Sequence, residues 1–156
     1  MGDTHAFQCS LEWLGGAQGP AADVTTLDRT HRLSFPGRPE LIASSAPDYG
    51  GNPELLNPED MLTAALSSCQ MLTCLAVFAR ARVPLYAYRD QAEGFLEKGE
   101  DGKLWMTRVI LRPELTLKEG TSEERAHMLM EKAHANCFIA NSVRTRVTLE
   151  PTFIFI

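Results

Sequence analysis

Residues 57 to 74 read NPEDMLTAALSSCQMLTC, and this stretch decides the interpretation of the whole chain. Asn57 can cap a helix, Pro58 suits its first position, and two acids fill the first turn. Beyond them apolar side chains recur at steps of three and four residues, with no further charged residue before Arg80. We therefore predict a helix that begins near Pro58 and carries Cys69 in its most apolar part.

The predicted helix ends shortly after Arg82, because Pro84 cannot continue it. Threonine, serine and glutamine side chains interrupt its apolar run. Such polar side chains would be costly in a bilayer and are ordinary in a globular core. We therefore expect a buried helix and no membrane partner. Its predicted apolar stripe consists of Leu62, Ala65, Leu66, Cys69, Leu72, Thr73, Ala76 and Val77.

The composition predicts one domain over residues 1–156, since 44% apolar residues are enough for a core. The net charge is −5 and the lysines and arginines are scattered, which argues against a nucleic-acid partner. The first ten residues have no basic region followed by an apolar run, so we expect no secretory signal and a cytoplasmic location.

The rest of the chain predicts an α+β fold with antiparallel sheets, a long central helix and a second, shorter helix. Asp-Gly at 101–102 indicates a hairpin, and Thr121 or Ser122 can cap the second helix, with Glu124 closing a capping box. The segments read as strands are 6–15, 23–35, 40–45, 88–98, 104–117 and 146–156, and the second helix is expected to end near Asn136.

The four cysteines lie far apart, without zinc-ribbon spacing, and read as free thiols in a reducing compartment. A cysteine in an apolar helical stripe usually packs as a small hydrophobe, which is the interpretation for Cys74, and Cys9 is expected to be unremarkable. Cys137 stands where the second helix ends. Two helices packed on one sheet can bring Cys137 within reach of Cys69.

A reactive thiol needs its thiolate stabilised, because an apolar surrounding alone raises the pKa. Arg29 and Arg32 in the early strand segment are candidate cations. Glu59 in the first helical turn either interacts with the helix dipole or holds an arginine by a bidentate pair. Ten residues of unbroken helix would separate Glu59 from Cys69 by about 15 Å, too far to share one arginine.

With these motifs in place, the chain resembles the osmotically inducible protein C and organic hydroperoxide resistance (OsmC/Ohr) family. The resemblance rests on NPEDMLTAALSSC at 57–69, AHANCFIANS at 133–142 and LDRTHRLSF at 27–35, and it runs from about Trp13 to Phe153. In the hydroperoxide-resistance branch a proline follows the second cysteine. Phe138 stands there in this chain, so it looks closer to the OsmC-like branch.

The resemblance implies a thiol peroxidase that reduces organic hydroperoxides and forms an intertwined homodimer with sites at the interface. It implies Cys69 as peroxidatic thiol, Cys137 as resolving thiol, and Arg29 with Glu59 as their support, with Arg32 and Arg38 as alternatives to Arg29. It implies no bound cofactor or metal, and a dithiol reductant of lipoyl or similar small type. The apolar residues that we expect to suit an alkyl or lipid hydroperoxide are Leu62, Leu66, Met71 and Leu72.

The spacing of Glu59 and Cys69 then leads us to expect that Glu59 serves the thiol of the other subunit. Two alternative functions remain open at this point. One is a cysteine hydrolase or acyltransferase that uses His134 or His31 as its base. The other is a non-catalytic protein that binds an apolar ligand, or a metal held by His134, Cys137 and Cys69, although metal ligands usually lie closer in sequence.

Overall fold

The computed structural model describes residues 2–156. Met1, the first residue of the segment in which we expect no secretory signal, lies outside the described residues. The described chain contains nine β-strands, two α-helices and three short 3-10 turns. It divides into two compact units, one ending at Met61 and one running from Leu62 to Ile156. The single domain expected from the sequence stays a prediction, and each unit is described by itself.

The first unit is built on a three-stranded antiparallel sheet in the order β1-β2-β3. This confirms the antiparallel sheet predicted for the early strand segments. Arg32 on β2 pairs with Glu12 on β1 and with Glu40 just before β3, which ties the three strands together at the surface. Strand β1 spans Ser10–Trp13, β2 spans His31–Ser34 and β3 spans Leu41–Ala43.

The long helix α1 spans Pro58–Arg80 without a break, which confirms the predicted start and places the end two residues early. The side chain of Asn57 accepts a hydrogen bond from the backbone N–H of Asp60 at 2.9 Å, as expected for a cap. After the helix, Arg82 takes a left-handed conformation with φ 56°, a common way to end a helix.

The second unit contains two three-stranded sheets, ordered β4-β7-β9 and β5-β6-β8. Asp-Gly at 101–102 forms the predicted hairpin turn between β5 and β6, and Gly102 supplies the positive φ of 76° that the turn requires. In chain order, the strands β4 to β9 are Leu85–Asp90, Glu93–Lys98, Leu104–Leu111, Pro113–Leu117, Arg146–Leu149 and Thr152–Phe155.

Three segments predicted as single strands are each divided in two. Between β6 and β7 the backbone N–H of Arg112 donates to the Asp90 carboxylate at 2.7 Å instead of to a strand, and Pro113 has no N–H to offer. The chain therefore passes from one sheet to the other at this point. The final segment also divides, and β8 and β9 pair in parallel with β6 and β7, so these sheets are mixed rather than purely antiparallel.

The second helix, α2, spans Glu123–Ala135. Ser122, not Thr121, is its N-cap, and the Ser122 hydroxyl accepts a hydrogen bond from the backbone N–H of Arg125 at 3.2 Å. Glu124 is then the second helical residue. A capping box needs the acid at the third helical position, so the predicted box does not form with this cap.

The core of the second unit has two clusters, the larger between α1, α2 and β7 and the smaller around Leu66, Val109 and Leu111. The buried residues of α1 form a stripe that differs from the predicted one, because α1 is apolar on more than one face and periodicity alone does not identify the buried face. Ala65 and Leu72 of the predicted stripe are exposed. The buried stripe is Leu66, Gln70, Cys74, Val77 and Phe78.

Within residues 2–156, α1 is the one helix long and apolar enough to cross a membrane, judged by length and composition only. The central helix of a soluble domain meets the same criterion, so this is weak evidence for a membrane span. Only 28% of its apolar window is buried inside the chain, which leaves much of its apolar surface uncovered.

Candidate active site

The structure brings together the two cysteines that the sequence singled out. Cys69 lies in the middle of α1, and Cys137 follows the end of α2 by two residues. The Arg125 side chain near the start of α2 donates to the carbonyl of Ala81 just beyond α1, so α2 runs back along α1. The C-terminal end of α2 therefore places Cys137 next to Cys69. Both cysteines are free thiols, and their side chains are hydrogen-bonded to each other.

Hydrogen-bond donors surround the Cys69 sulfur. Burial raises the pKa of this thiol, but the backbone N–H of Ile139, the Cys137 thiol, the backbone N–H of Phe138 and the Thr73 hydroxyl together outweigh burial. The net pKa lies below its ordinary value, because these donors stabilise the charged form. Cys69 is therefore the thiol of the pair that loses its proton first.

Cys137 has the opposite balance. Burial raises the pKa of this thiol, and the hydrogen bond to Cys69 raises it further, while the backbone N–H of Ala140 offsets only part of the rise. The Cys137 thiol therefore keeps its proton and donates a hydrogen bond to the Cys69 thiolate. The pair is asymmetric before any reaction takes place.

A short turn after α2 holds the two backbone donors in position. The Asn141 side chain donates to the carbonyls of Ala135 and Cys137, each at 3.0 Å. The Ser142 hydroxyl donates to the carbonyl of Phe138 at 2.7 Å. With its carbonyls occupied in this way, the turn presents the N–H groups of Phe138 and Ile139 to the sulfur.

An open cavity of about 580 Å³ lies beside Cys69, within the second unit. Leu72, Ala76 and Val77 of α1 and Leu129 of α2 give it an apolar floor. The thiol is thus next to a space of the size that small-molecule sites commonly have.

Of the four residues expected to line a substrate site, Leu72 does so. Leu66 is completely buried in the smaller core cluster, and Leu62 packs against that cluster. Met71 is not among the lining residues. The observed lining differs from the predicted one because the cavity lies along the face of α1 that contains Leu72. Leu66 belongs to the stripe of α1 that faces the core.

Arg29 lies in the first unit, in a pocket of backbone carbonyls. Its guanidinium donates to the carbonyls of Leu27 at 2.8 Å and Val24 at 2.9 Å. Gly50 lies beside this guanidinium, where a Cβ would be 2.9 Å from the Nη1 atom, and its positive φ of 74° favours glycine there. Arg29 borders a second cavity, of about 390 Å³, within this unit.

The two alternative arginines have different surroundings. Arg32 is engaged by two carboxylates, and Arg38 is exposed in the turn before β3. Glu59 is at the start of α1, and because the helix is unbroken about 15 Å of helix axis separates it from Cys69. The roles of Arg29 and Glu59 toward a thiolate, and the expected partner subunit, stay predictions.

Cys74 behaves as the packing cysteine that was expected. It is completely buried, and its thiol contacts the sulfur of Met130 at 3.4 Å. Burial raises the pKa of the Cys74 thiol to about 12. Cys9 is exposed.

The histidines proposed as bases for a hydrolase have other surroundings. The His31 Nδ1 atom contacts the backbone carbonyl of Arg29 at 2.9 Å. The His134 Nδ1 atom is buried with no hydrogen-bond partner in the described chain. No histidine is among the groups that shift the pKa of Cys69 or Cys137. Residues 2–156 also contain no group of three or more His, Cys, Asp or Glu placed to hold a metal ion.

Sequence reasoning missed three groups at this site: the backbone donors of residues 138 and 139, the Thr73 hydroxyl, and the cations Arg80 and Lys132 that line the cavity. The backbone donors had a signal, since Phe138 stands where the related branch has proline, which lacks an N–H. Arg80 also had one, since it lies eleven residues after Cys69 and thus on the same helix face.

Comparison with known proteins identifies relatives of the chain. A family model described as OsmC-like protein matches residues 51–152. The chain is 33% identical to an OsmC-like protein of unknown function from Vibrio cholerae, with a TM-score of 0.86 over 96% of this chain and 100% of that one. It is 25% identical to the uncharacterized protein YmaD of Bacillus subtilis, over 94% of this chain and 91% of that protein.

Structures named as organic hydroperoxide resistance proteins share the fold. The one from Elizabethkingia anophelis has a TM-score of 0.74 at 22% identity, and the match covers 100% of both chains. This likeness shows a common α+β architecture. The family match over residues 51–152 and the likeness to the Vibrio cholerae protein establish that the chain belongs to the OsmC-like family.

Proposed function

We propose that this protein is a thiol-dependent peroxidase that reduces organic hydroperoxides, with Cys69 as the peroxidatic and Cys137 as the resolving residue. The observation that carries the proposal is the asymmetric thiol pair at the edge of an apolar cavity. Cys69 has a lowered pKa and an open side, and Cys137 keeps its proton within hydrogen-bonding distance. The names of several structural relatives support the same chemistry.

The reaction begins when the Cys69 thiolate attacks the distal oxygen of the hydroperoxide. The O–O bond breaks, an S–O bond forms, and the alkoxide leaves and takes a proton from solvent to become an alcohol. Cys69 is left as a sulfenic acid. The N–H groups of Phe138 and Ile139 stabilise the thiolate before the attack, which increases the fraction of Cys69 that is nucleophilic at a given pH.

Cys137 then condenses with the sulfenic acid to form a disulfide and release water. An external dithiol, of lipoyl or similar small type, reduces this disulfide to the two thiols and is itself oxidised. The cycle therefore needs no bound cofactor or metal. A cytoplasmic homodimer, in which Glu59 of one subunit serves the thiolate of the other and holds the Arg29 guanidinium that stabilises it, is part of the same proposal.

The direct test is to map the thiols of the reduced protein by mass spectrometry before and after an equimolar amount of cumene hydroperoxide. We expect a disulfide between Cys69 and Cys137, with Cys74 unchanged. Cys137→Ser is expected to stop at a Cys69 sulfenic acid, which a dimedone-type probe traps. If all four thiols survive the treatment, the protein is not a peroxidase.

A hydrolase would give a different result in the same variants. It would retain ester hydrolysis in Cys137→Ser and lose it in His134→Ala, whereas the peroxidase is expected to respond to the cysteine changes alone. The matched variant Cys74→Ala, which removes a buried thiol of the same helix, controls for general damage to the fold.

A further inference from the structure

A further cavity, of about 330 Å³, lies on the sheet β5-β6-β8 of the second unit. It shares no lining residue with the cavity beside Cys69, so it is separate from the thiol pair. Three arginines and one carboxylate belong to its lining, although the chain has a net charge of −5. The lining residues are Glu97, Trp105, Thr107, Arg108, Arg144 and Arg146.

A β-bulge gathers several of these side chains on one face of the sheet. The register between β5 and β6 shifts between Phe95 and Leu96, which leaves Thr107 as an extra residue on β6. Neighbouring residues of a regular strand point to opposite faces. Here Thr107 and Arg108 both donate hydrogen bonds to the carboxylate of Glu97. The bulge therefore turns Arg108 toward the cavity, and re-aiming a side chain is a common role of bulges at binding sites.

Two of the arginines lie directly opposite each other on adjacent strands. Arg108 on β6 is the register partner of Arg146 on β8. Like charges in such a pair destabilise a sheet unless a counter-charge is close. Thr145, between Arg144 and Arg146, is buried, and its hydroxyl donates to the carbonyl of Met106 at 2.8 Å. This contact fixes the start of β8, where the two flanking arginines both line the cavity.

The described residues supply one carboxylate for these three guanidinium groups. Arg108 donates to Glu97 at 3.1 Å, and Thr107 donates to the other oxygen of the same carboxylate. These two contacts hold the pKa of Glu97 below its ordinary value, so this group is charged at neutral pH. Neither Arg144 nor Arg146 forms an ion pair within residues 2–156. Two positive charges therefore remain uncompensated in the lining of one cavity.

Aromatic rings restrict the movement of two of the guanidinium groups. The Cζ atom of Arg108 lies 3.5 Å from the ring centroid of Phe95, and that of Arg144 lies 4.1 Å from the ring centroid of Trp105. A guanidinium stacked on a ring can still donate hydrogen bonds from its edge, and its rigid fork matches the oxygens of a phosphate group. The stacked arginines are thus suited to bind an anion with little further ordering.

We propose that this cavity binds a small phosphate monoester, whose phosphate group accepts hydrogen bonds from Arg108, Arg144 and Arg146. A phosphate monoester carries a charge of about −2 at neutral pH, which offsets the two uncompensated charges. A cavity of about 330 Å³ also has room for a small organic group beside the phosphate. The net charge of −5 disfavours a long polyanion, whereas a small ligand interacts mainly with the local arginines. The site is independent of the proposed peroxidase activity.

Calorimetric titration of the native protein with glycerol 3-phosphate tests this site. Chloride keeps the ionic strength constant, so that general screening does not change during the titration. We expect a single saturable site, and we expect Arg144→Gln with Arg146→Gln to weaken binding by about tenfold or more, since two charged contacts are lost. Arg89→Gln with Lys118→Gln changes the net charge equally at exposed positions outside this cavity, and this control should bind like the native protein.

Thermal unfolding distinguishes a binding role of the arginines from a structural one. Arg146→Gln removes one member of the like-charge pair, so without ligand it should unfold at the native temperature or slightly above it. At roughly ten times the Kd of glycerol 3-phosphate, we expect the native Tm to rise by about 4 °C, and that of Arg144→Gln with Arg146→Gln by less than about 1 °C. A Tm of unliganded Arg146→Gln several degrees below the native value would mean that Arg146 stabilises the sheet, which would overturn the proposal.

A lipid headgroup can present the same phosphate monoester on a surface. Sedimentation with phosphatidylcholine vesicles that contain phosphatidic acid distinguishes this source from a soluble ligand. We expect no sedimentation, because the net charge of the chain opposes its approach to an anionic surface. Vesicle binding that requires Arg144 and Arg146, without affinity for glycerol 3-phosphate, would overturn the assignment to a soluble ligand. Absence of binding in both experiments, or equal binding by the double variant and the control, would overturn the site itself.

Discussion

Cys69 and Cys74 lie five residues apart on one helix, yet their thiols have opposite properties. The pKa of Cys69 is lowered, because the donors of the turn after α2 outweigh its partial burial. The pKa of Cys74 is raised to about 12 by burial, and its nearest polar partner is the sulfur of Met130. The comparison teaches that the helix face, not the helix, decides what a cysteine does: one face meets backbone N–H groups and an open cavity, the other meets the core.

The largest expected effect comes from changing the thiol on each face of the helix in turn. Cys69→Ser is expected to reduce the rate of hydroperoxide consumption by about a thousandfold or more, because serine is a far weaker nucleophile at neutral pH. Cys74→Ala should keep the rate within about twofold. The measurement is the steady-state reduction of cumene hydroperoxide with a small dithiol. Equal losses in both variants would show that the two faces are not functionally distinct.

A smaller effect is expected when one backbone donor is removed. Phe138→Pro eliminates the N–H that points at the Cys69 sulfur, and the loss of one hydrogen bond to a charged group corresponds to roughly tenfold or more in thiolate formation. We expect the pKa of Cys69 to rise and the reaction at neutral pH to slow by about that factor.

Phe138→Ala is the matched control for that change, because it shortens the exposed side chain and keeps the backbone donor. It should leave the pKa of Cys69 unchanged. If alanine and proline raise the pKa equally, the side chain rather than the N–H supports the thiolate, and the proposed role of the turn is wrong.

The burial of the Cys74 thiol should make the free energy of unfolding depend on pH in the alkaline range. The folded-state pKa of Cys74 is raised above its ordinary value of 9.0 to about 12, so its contribution is complete below pH 9 and is lost as the pH rises toward 12. The free energy of unfolding in urea should therefore fall over this interval. Cys74→Ala is expected to reduce the slope and to cost about 1 kcal/mol at neutral pH.

The residual slope in Cys74→Ala has named sources. Burial also raises the pKa of Tyr88 and of Cys137, so these groups contribute alkaline sensitivity of the same sign. A variant whose slope equals that of the native protein would show that Cys74 ionises as easily in the folded state as in the unfolded one.

The smallest expected effect concerns Thr73. Its hydroxyl donates to the Cys69 carbonyl at 2.9 Å and also contributes to lowering the pKa of the thiol. Because the hydroxyl is shared, Thr73→Val should raise the pKa of Cys69 slightly and slow the reaction by only about two- to threefold. Thr73→Ser retains the hydroxyl and is expected to behave like the native protein. A loss as large as that in Phe138→Pro would make Thr73 a main donor.

Much of the fold followed from local sequence signals. The cap at Asn57, the proline at 58 and the Asp-Gly turn at 101–102 each act over a few residues, and the structure has the predicted features at all three. The exchange of strands between two sheets was missed because it depends on the Asp90 carboxylate meeting the Arg112 backbone, 22 residues away in sequence. Such a contact leaves no periodic pattern.

The site was predictable only where local sequence signals determine it. The meeting of Cys69 and Cys137 follows from two helices on one sheet, which the element order already indicated. The buried face of α1 did not follow, since Gln70 is completely buried while Leu72 is exposed. The donors of the turn at 138 and 139 are backbone groups, and their direction depends on conformation rather than on residue type.

The most direct test of the central claim, that Cys69 is the activated thiol of this helix, is the pH dependence of its alkylation. Native protein is treated briefly with iodoacetamide at a series of pH values, and each cysteine is quantified by mass spectrometry. We expect the midpoint for Cys69 to lie below that of an unstructured cysteine peptide treated in parallel, and Cys74 to resist alkylation throughout. A Cys69 midpoint at or above that of the peptide would contradict the claim.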